Sequence, residues 1–284
     1  MCHAPCAFLF PPLFHKPITL ILNKLQGVPY ALRDGACGGF EGGEDMDGDR
    51  VQTYIKGFDD HLEGGIPKGH VVLVSGTPGT MKSTVAWNLL WHNAKQRGLR
   101  GLYLSLEQSE RSLMDQMTRF GMGPKGLEEK LSIIDLGAIR AEMARAEIVS
   151  DKENWANVVR GLVGDAKEQK GLDIVVIDSL EAYELLFERA ISRNEMFQFF
   201  EWLRQLGITV LIIAEMSPDS NRYSKYDEGF LADGILHLKL SEVSDVDVQR
   251  RIRCVKMRGT RHSPGFFNLL VDGQTLAVTK TILE

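Results

Sequence analysis

The chain has 284 residues, 44% hydrophobic and 25% charged, the balance of a globular protein with room for one large α/β domain or two small ones. Four cysteines, at positions 2, 6, 37 and 254, exclude a disulfide scaffold, and no charge-free apolar run is long enough to span a membrane. Thirty-three Lys and Arg against 38 Asp and Glu give a net charge of −5, so the whole molecule lacks the electrostatic footprint of a nucleic-acid or acidic-membrane binder, although local basic patches remain open.

Residues 1–50 read as an irregular N-terminal extension. Cys, Pro, Phe and Leu crowd its first half, and Gly-rich acidic sequence fills residues 38–49. The apolar run from Ala7 to Leu22 is broken by Pro11, Pro12, His15, Lys16 and Pro17, and it has neither the charged start nor the cleavage site of a secretory signal. Cys2, His3 and Cys6 lack the fourth ligand and regular spacing of a closed metal site. Regular patterning starts just after Met46, so what precedes it is an appendage, either a misread start or a loosely packed arm.

From Val51 to Glu284, short apolar runs alternate with amphipathic stretches, the pattern of one α/β domain whose mostly parallel sheet is covered by helices on both faces. The spacing predicts strands over Val71–Ser75, Gly101–Ser105, Leu131–Asp135, Ile174–Asp178 and Ile208–Ala214. Val85, Ala86, Leu89 and Leu90 mark one helix. A second, carrying Trp155, Val158, Val159, Leu162, Val163 and Ala166, follows a capping box at residues 150–153. A third, carrying Met196, Phe199, Phe200, Leu203 and Leu206, follows another box at residues 192–195. These stripes read as core rather than chemistry. After Gly234 come Ile235–Leu240, Ile252–Met257, Phe266–Val271 and Leu276–Lys280, separated by turn residues, so the sheet is expected to end in antiparallel strands.

The strongest chemical signal is Gly76-Thr77-Pro78-Gly79-Thr80-Met81-Lys82-Ser83-Thr84, between the first of these strands and the first helix. A phosphate chain is held by the backbone N–H groups of a Gly-rich loop and by a helix N-terminus, with a lysine on the β- and γ-phosphates and a hydroxyl on Mg²⁺. Lys82 and Ser83 occupy those two positions. Met81 departs from a pattern that has Gly there, which favours binding over fast turnover. An ordinary Gly-Pro turn opening a helix is the alternative reading.

About one hundred residues later, Ile174–Asp178 delivers Asp178 to the carboxyl end of a strand, where such an aspartate holds Mg²⁺ through water. Glu107, just past Ser105, is placed either to orient or deprotonate an attacking water or to start the following helix, and Glu215 has a similar, weaker claim. The segment 250–261 carries Arg250, Arg251, Arg253, Lys256, Arg258 and Arg261 and no acid. Strand alternation would set Lys256 and Arg258 on one face. A charged edge strand, a nucleic-acid track and arginine-finger residues offered to a neighbouring subunit all fit this pattern. Cys254 reads as packing.

Taken together, these stretches resemble the KaiC-like branch of the RecA ATPase superfamily over roughly Val51–Lys280. The resemblance rests on residues 53–59 and 64–69, the loop 76–84, Leu104–Ser109, Val175–Leu180, Leu231–Gly234 and Lys256–Thr260. It implies a RecA-like P-loop fold, ATP and Mg²⁺ as cofactors, and Glu107 as the catalytic carboxylate. It further implies that Lys256 and Arg258 act in trans on ATP bound by the adjacent subunit of a hexameric ring. Gln108 departs from the second acid common in the family.

The resemblance also implies a cytoplasmic, archaeal, single-domain regulatory or signalling ATPase, in which slow hydrolysis switches subunit contacts toward a protein client. Two other functions stay open: a recombinase-like DNA-binding accessory ATPase using the Arg250–Arg261 run, and a nucleotide-sensing assembly module with little turnover, favoured by Met81 and Gln108.

Overall fold

The computed structural model describes residues 49–145, 155–185, 191–217, 222–224 and 228–280. The chain divides into two units, Met1–Gly43 and Glu44–Glu284, and every described residue belongs to the second. The strands, in chain order, are β1 (Arg50–Val51), β2 (Ile55–Lys56), β3 (Ile66–Pro67), β4 (Val71–Gly76), β5 (Gly101–Ser105), β6 (Leu131–Asp135), β7 (Ile174–Asp178), β8 (Thr209–Glu215), β9 (Gly234–Ser244), β10 (Asp247–Met257), β11 (Phe267–Asp272) and β12 (Thr275–Lys280). The α-helices are α1 (Lys82–His92), α2 (Glu110–Arg119), α3 (Leu136–Arg145), α4 (Trp155–Lys170), α5 (Leu180–Glu184) and α6 (Arg193–Gln205). Among the described residues, no helix is long and apolar enough to cross a membrane.

Ten strands form one sheet in the order β2-β12-β11-β10-β9-β4-β8-β7-β5-β6. From β9 to β6 every neighbouring pair is parallel, whereas β9 to β12 run antiparallel to one another. The expected α/β architecture with an antiparallel C-terminal end is the one observed. Alternation explains its two-sided core. Val72, Val74, Val176, Leu211, Ile213, Leu236 and Leu238 face a cluster built with Val85, Trp87, Leu89 and Leu90 of α1. Val71, Leu73, Val175, Ile177, Val210 and Ile212 point the other way and are equally buried, on the side where α6 packs against β4. Each such aliphatic side chain contributes about 1.5–3 kcal/mol by leaving water.

The strands β5, β6 and β7 coincide residue for residue with the expected runs. The capping box at residues 192–195 forms, with Ser192 accepting from the Glu195 N–H and Glu195 reaching back to the Ser192 backbone. The box expected at residues 150–153 lies outside the described residues, although its helix, α4, starts at Trp155. Regular structure already includes Arg50, whose guanidinium donates to the carbonyls of Leu62 (3.1 Å) and Gly65 (2.9 Å) and to the Thr260 hydroxyl (2.9 Å).

The segment leading into β4 is tied to the helix after it. Asp59 accepts from the Thr53 and Tyr54 N–H groups at 2.9 and 3.1 Å, shaping a turn whose carbonyls face α1. Buried Asn88 then donates to the Thr53 carbonyl at 2.9 Å, and buried Asn93 to that of Gln52 at 2.7 Å. Polar side chains with no exposure hold these positions because each amide donor has a partner. The helix that opens at the Gly-rich loop is thereby anchored at its far end.

Candidate functional site

The loop from Gly76 to Met81 joins the end of β4 to the start of α1, at the carboxyl edge of the sheet where open α/β folds bind ligands. Gly76 sits so close to β9 that an added Cβ would lie 2.4 Å from the Leu238 carbonyl, and Gly79 has φ +81°, so both positions require glycine for different reasons. The Thr80 hydroxyl donates to the Thr77 carbonyl at 2.8 Å, closing the loop on itself. Pro78 and Gly79 are exposed at its tip, whereas Thr80 and Thr84 are buried. No side chain caps α1, and no acid occupies its first turn. The N–H groups at its start therefore remain free to meet an anion.

Met81 is the N-cap of α1 in the left-handed region, φ 75° and ψ 30°. That conformation costs a residue with a Cβ about 1–2 kcal/mol, and the half-buried Met81 side chain offsets it by packing against the core beneath α1. Met81→Ala keeps the strain and loses the packing, whereas Met81→Gly loses the packing and relieves the strain. The glycine variant is therefore expected to be more stable than the alanine variant by about 1 kcal/mol, the reverse of their order in a helix interior. Urea unfolding of the two variants checks this.

Four carboxylates surround Lys82. Asp178 ends β7, Glu107 follows β5, Glu215 ends β8 in register with Gly76, and Glu181 lies on α5. Because β5 pairs with β7, Ser105 lies opposite Asp178, and the Leu106 N–H donates to the Asp178 carbonyl at 2.8 Å. The Ser179 hydroxyl donates to the Glu107 carboxylate. Burial lowers the Lys82 pKa, opposed by the charges of Glu215, Glu181, Asp178 and Glu107. In this structure Lys82 Nζ donates to the Thr77 carbonyl at 3.1 Å. Burial raises the Asp178 pKa, against hydrogen bonds from the Tyr103 and Ser83 hydroxyls.

Two participants escape sequence reasoning. Tyr103 looks like one more core residue of β5, yet its hydroxyl donates to Asp178 Oδ2 at 2.5 Å. Glu181 looks like an exposed helix acid, yet burial pushes its pKa up to about 7, and Oε1 accepts from the Glu215 N–H at 2.9 Å. Ser179, directly after the strand-ending Asp178, is the N-cap of α5, its hydroxyl accepting from the Ala182 N–H. Gln108 turns away instead, donating to the Ser112 hydroxyl at 2.9 Å and to Gln116 Oε1 at 3.3 Å along α2.

Among the described residues, no group of three or more His, Cys, Asp or Glu side chains could cage a metal ion. Mg²⁺ at a nucleotide takes one or two carboxylates, waters and substrate phosphates rather than a protein cage. The hard oxygen donors of Ser83 and Asp178, beside a loop with unpaired N–H groups, fit that requirement.

Lys256 and Arg258 lie elsewhere. Met257 pairs with Gly234, which pairs with Val72, so they sit by the start of β4 while the loop follows its end, about 13 Å along the strand. Strand β10 ends at Met257, and a register shift falls between Cys254 and Lys256, so simple alternation does not describe this pair. Both residues fold onto the segment 229–233. Lys256 Nζ donates to the Ala232 and Gly229 carbonyls at 2.6 and 3.2 Å, and Arg258 pairs with Asp233 at 2.6 Å. Cys254 is buried, as expected.

Of the rest of the basic segment, Arg261 lies beyond β10 and pairs with Glu63 at 3.3 Å, while Arg250, Arg251 and Arg253 alternate between the faces of the sheet. Arg251 lies opposite Lys239, and Arg253 opposite His237, so four basic side chains share one face of the β9–β10 ladder. Lys239 and Arg253 lie over the Phe266 ring, and Arg253 donates to the Tyr223 hydroxyl at 2.9 Å. Burial, then the charges of Arg253 and Lys239, hold His237 down to a pKa of about 4.

A parallel sheet with a Gly-rich loop at its switch point, a lysine inside that loop's helix and acids on the neighbouring strand ends defines a RecA-type nucleotide-binding domain. A family model described as the ATPase KaiC matches residues 51–281. The chain is 33% identical over 223 residues to a UPF0273 protein of Thermotoga maritima, covering 75% of this chain and 89% of that one. It is 31% identical over 220 residues to a UPF0273 protein of Aeropyrum pernix, covering 76% and 87%. The circadian clock oscillator protein KaiC of a Picosynechococcus species is 29% identical over 231 residues, 79% of this chain but only 43% of that protein. Among solved structures, a KaiC-like protein from Pyrococcus horikoshii OT3 superposes with a TM-score of 0.69 at 27% identity, covering 81% of this chain and 98% of that one. The chain belongs to the KaiC-like family of RecA-superfamily ATPases.

Proposed function

We propose that this protein binds ATP with Mg²⁺ at residues 76–84 and hydrolyses it slowly, using the nucleotide state to switch contacts between subunits. The observation that carries the reading is the convergence of Lys82, Ser83, Asp178 and Glu107 at the mouth of a loop whose N–H groups are unpaired. In this reading the loop amides and Lys82 hold the β- and γ-phosphates, with Ser83, and Asp178 through water, holding Mg²⁺. Bound Mg²⁺ supplies positive charge to the phosphate oxygens. Glu107, exposed and fixed by Ser179, orients the attacking water and accepts its proton as the bond from water to the γ-phosphorus forms and the bond to the β-phosphate oxygen breaks. The ATPase domain spans residues 51–284, with residues 1–50 an extension to it, and the protein works in the cytoplasm on a protein client.

The distance of Lys256 and Arg258 from their own loop supports a role on a neighbour's γ-phosphate, in a ring that the resemblance makes hexameric. Arg258→Ala is expected to lower hydrolysis at least tenfold, and mixing it with Glu107→Gln restores part of the activity, because a mixed interface joins an intact Glu107 to an intact Arg258. Phosphate release across mixing ratios, with light scattering to follow assembly, checks this. No rescue, together with a monomer at every concentration of protein and ATP, would refute trans action.

A second reading, a DNA-binding accessory ATPase, is favoured by Lys239, Arg251 and Arg253 on one face of the β9–β10 ladder. Arg251 and Lys239 are like charges directly opposite, which destabilises the ladder, so an anion would relieve that cost. This reading expects single-stranded DNA to bind with steep salt dependence and to stimulate phosphate release. Met81 and the turned-away Gln108 favour a third reading, a nucleotide sensor with little turnover, in which ATP binds tightly and phosphate release stays at background.

A further inference from the structure

We propose that Tyr103 is a positioning residue for the metal-holding carboxylate: its buried hydroxyl commits one oxygen of Asp178 and leaves the other aimed at the Mg²⁺ site. The inference rests on the ATP and Mg²⁺ reading above and names how this chain prepares the aspartate for the metal.

Tyr103 has no exposed surface and lies in a strand whose other members are buried. Its ring packs against Trp87, with centroids 5.6 Å apart, and joins the core beneath α1. A phenylalanine would satisfy that packing. The hydroxyl is what needs explaining, since burying one without a partner costs roughly 1–3 kcal/mol. Its partner is Asp178 Oδ2 at 2.5 Å.

Register explains how the two meet. In the parallel β5–β7 pair, Tyr103 lies opposite Val176 and Ser105 opposite Asp178. Tyr103 and Asp178 therefore share a face two positions apart, a gap that a phenol leaning along the strand can span and a shorter side chain cannot. With Oδ2 fixed by the phenol, the carboxylate cannot rotate freely, and Oδ1 is the oxygen left to accept from metal-bound water. Removing an outer partner of a direct metal ligand typically weakens the metal 10- to 100-fold, and because Asp178 reaches the metal through water its own partner falls at the low end of that range.

The test compares the full chain with Tyr103→Phe and Asp178→Asn by titrating a fluorescent ATP analogue, first in EDTA and then at increasing Mg²⁺. Tyr103→Phe is expected to keep the parent's affinity in EDTA and its melting temperature to within a few degrees, while needing at least about tenfold more Mg²⁺ for half of the metal-dependent gain. In the double variant, Tyr103→Phe should add nothing to the effect of Asp178→Asn, because the hydroxyl acts through that carboxylate. A parent-like Mg²⁺ response in Tyr103→Phe, with Asp178→Asn shifted, would overturn this inference and leave the metal role of Asp178 standing. A parent-like response in both would remove the metal role itself. A Tyr103→Phe chain that is unfolded, or weakened equally with and without Mg²⁺, would mark the hydroxyl as purely structural and also overturn the proposal.

Discussion

Lys82→Ala is expected to lower ATP affinity by about 100-fold while the domain stays folded. Set at the β- and γ-phosphates, Lys82 makes charge-assisted hydrogen bonds to both, each worth about 1.5–3 kcal/mol, so losing the pair costs on the order of 3 kcal/mol of binding. Its structural partner without nucleotide is one carbonyl, that of Thr77, which solvent can replace. The carboxylates of Glu215, Glu181, Asp178 and Glu107 lose a compensating cation, but Glu107 and Glu215 are exposed, and burial already favours the neutral form of Glu181 and Asp178, which limits the cost. Equilibrium titration with a fluorescent ATP analogue, beside a thermal melt, checks both halves. Unchanged affinity in a folded variant would contradict the assignment of the loop.

Glu107→Gln is expected to bind ATP within about threefold of the parent and to release phosphate 10²- to 10⁴-fold more slowly, the usual contribution of a positioned general base. The amide keeps the size of the carboxylate and can still accept from Ser179, so the geometry survives while the proton acceptor is lost. If Glu107 were only the acid that starts α2, the substitution would leave turnover unchanged. The structure already gives that helix its own cap, since Ser109 accepts from the Ser112 N–H.

The parallel half of the fold is legible because its strands are short apolar runs buried on both faces, bounded by turn residues, and β5, β6 and β7 match to the residue. The β9–β10 hairpin is longer than its apolar runs indicate. Its outer half, through Val243, Val246 and Val248, is exposed and held by backbone pairing, which leaves no burial period to read. The two-residue strands β1, β2 and β3 are too short for any period.

In the site, Gly76–Thr84, Glu107 and Asp178 are legible because a loop and two strand ends lie at the carboxyl edge of a parallel sheet. Tyr103 and Glu181 are not, because their roles depend on register between strands far apart in sequence. The placement of Lys256 and Arg258 by the start of β4 likewise follows from the antiparallel pairing of β10 with β9, not from the residues themselves.

The central claim, that residues 76–84 hold MgATP with Glu107 poised at its γ-phosphate, is tested most directly by a crystal structure of the Glu107→Gln chain grown with ATP and Mg²⁺. The expected result is a triphosphate wrapped by the amides of the loop, Lys82 Nζ on the β- and γ-phosphates, Mg²⁺ on the Ser83 hydroxyl and one water from Asp178, and a water between residue 107 and the γ-phosphorus. A triphosphate seated away from the loop, or a metal beyond the reach of both Ser83 and Asp178, would contradict the claim.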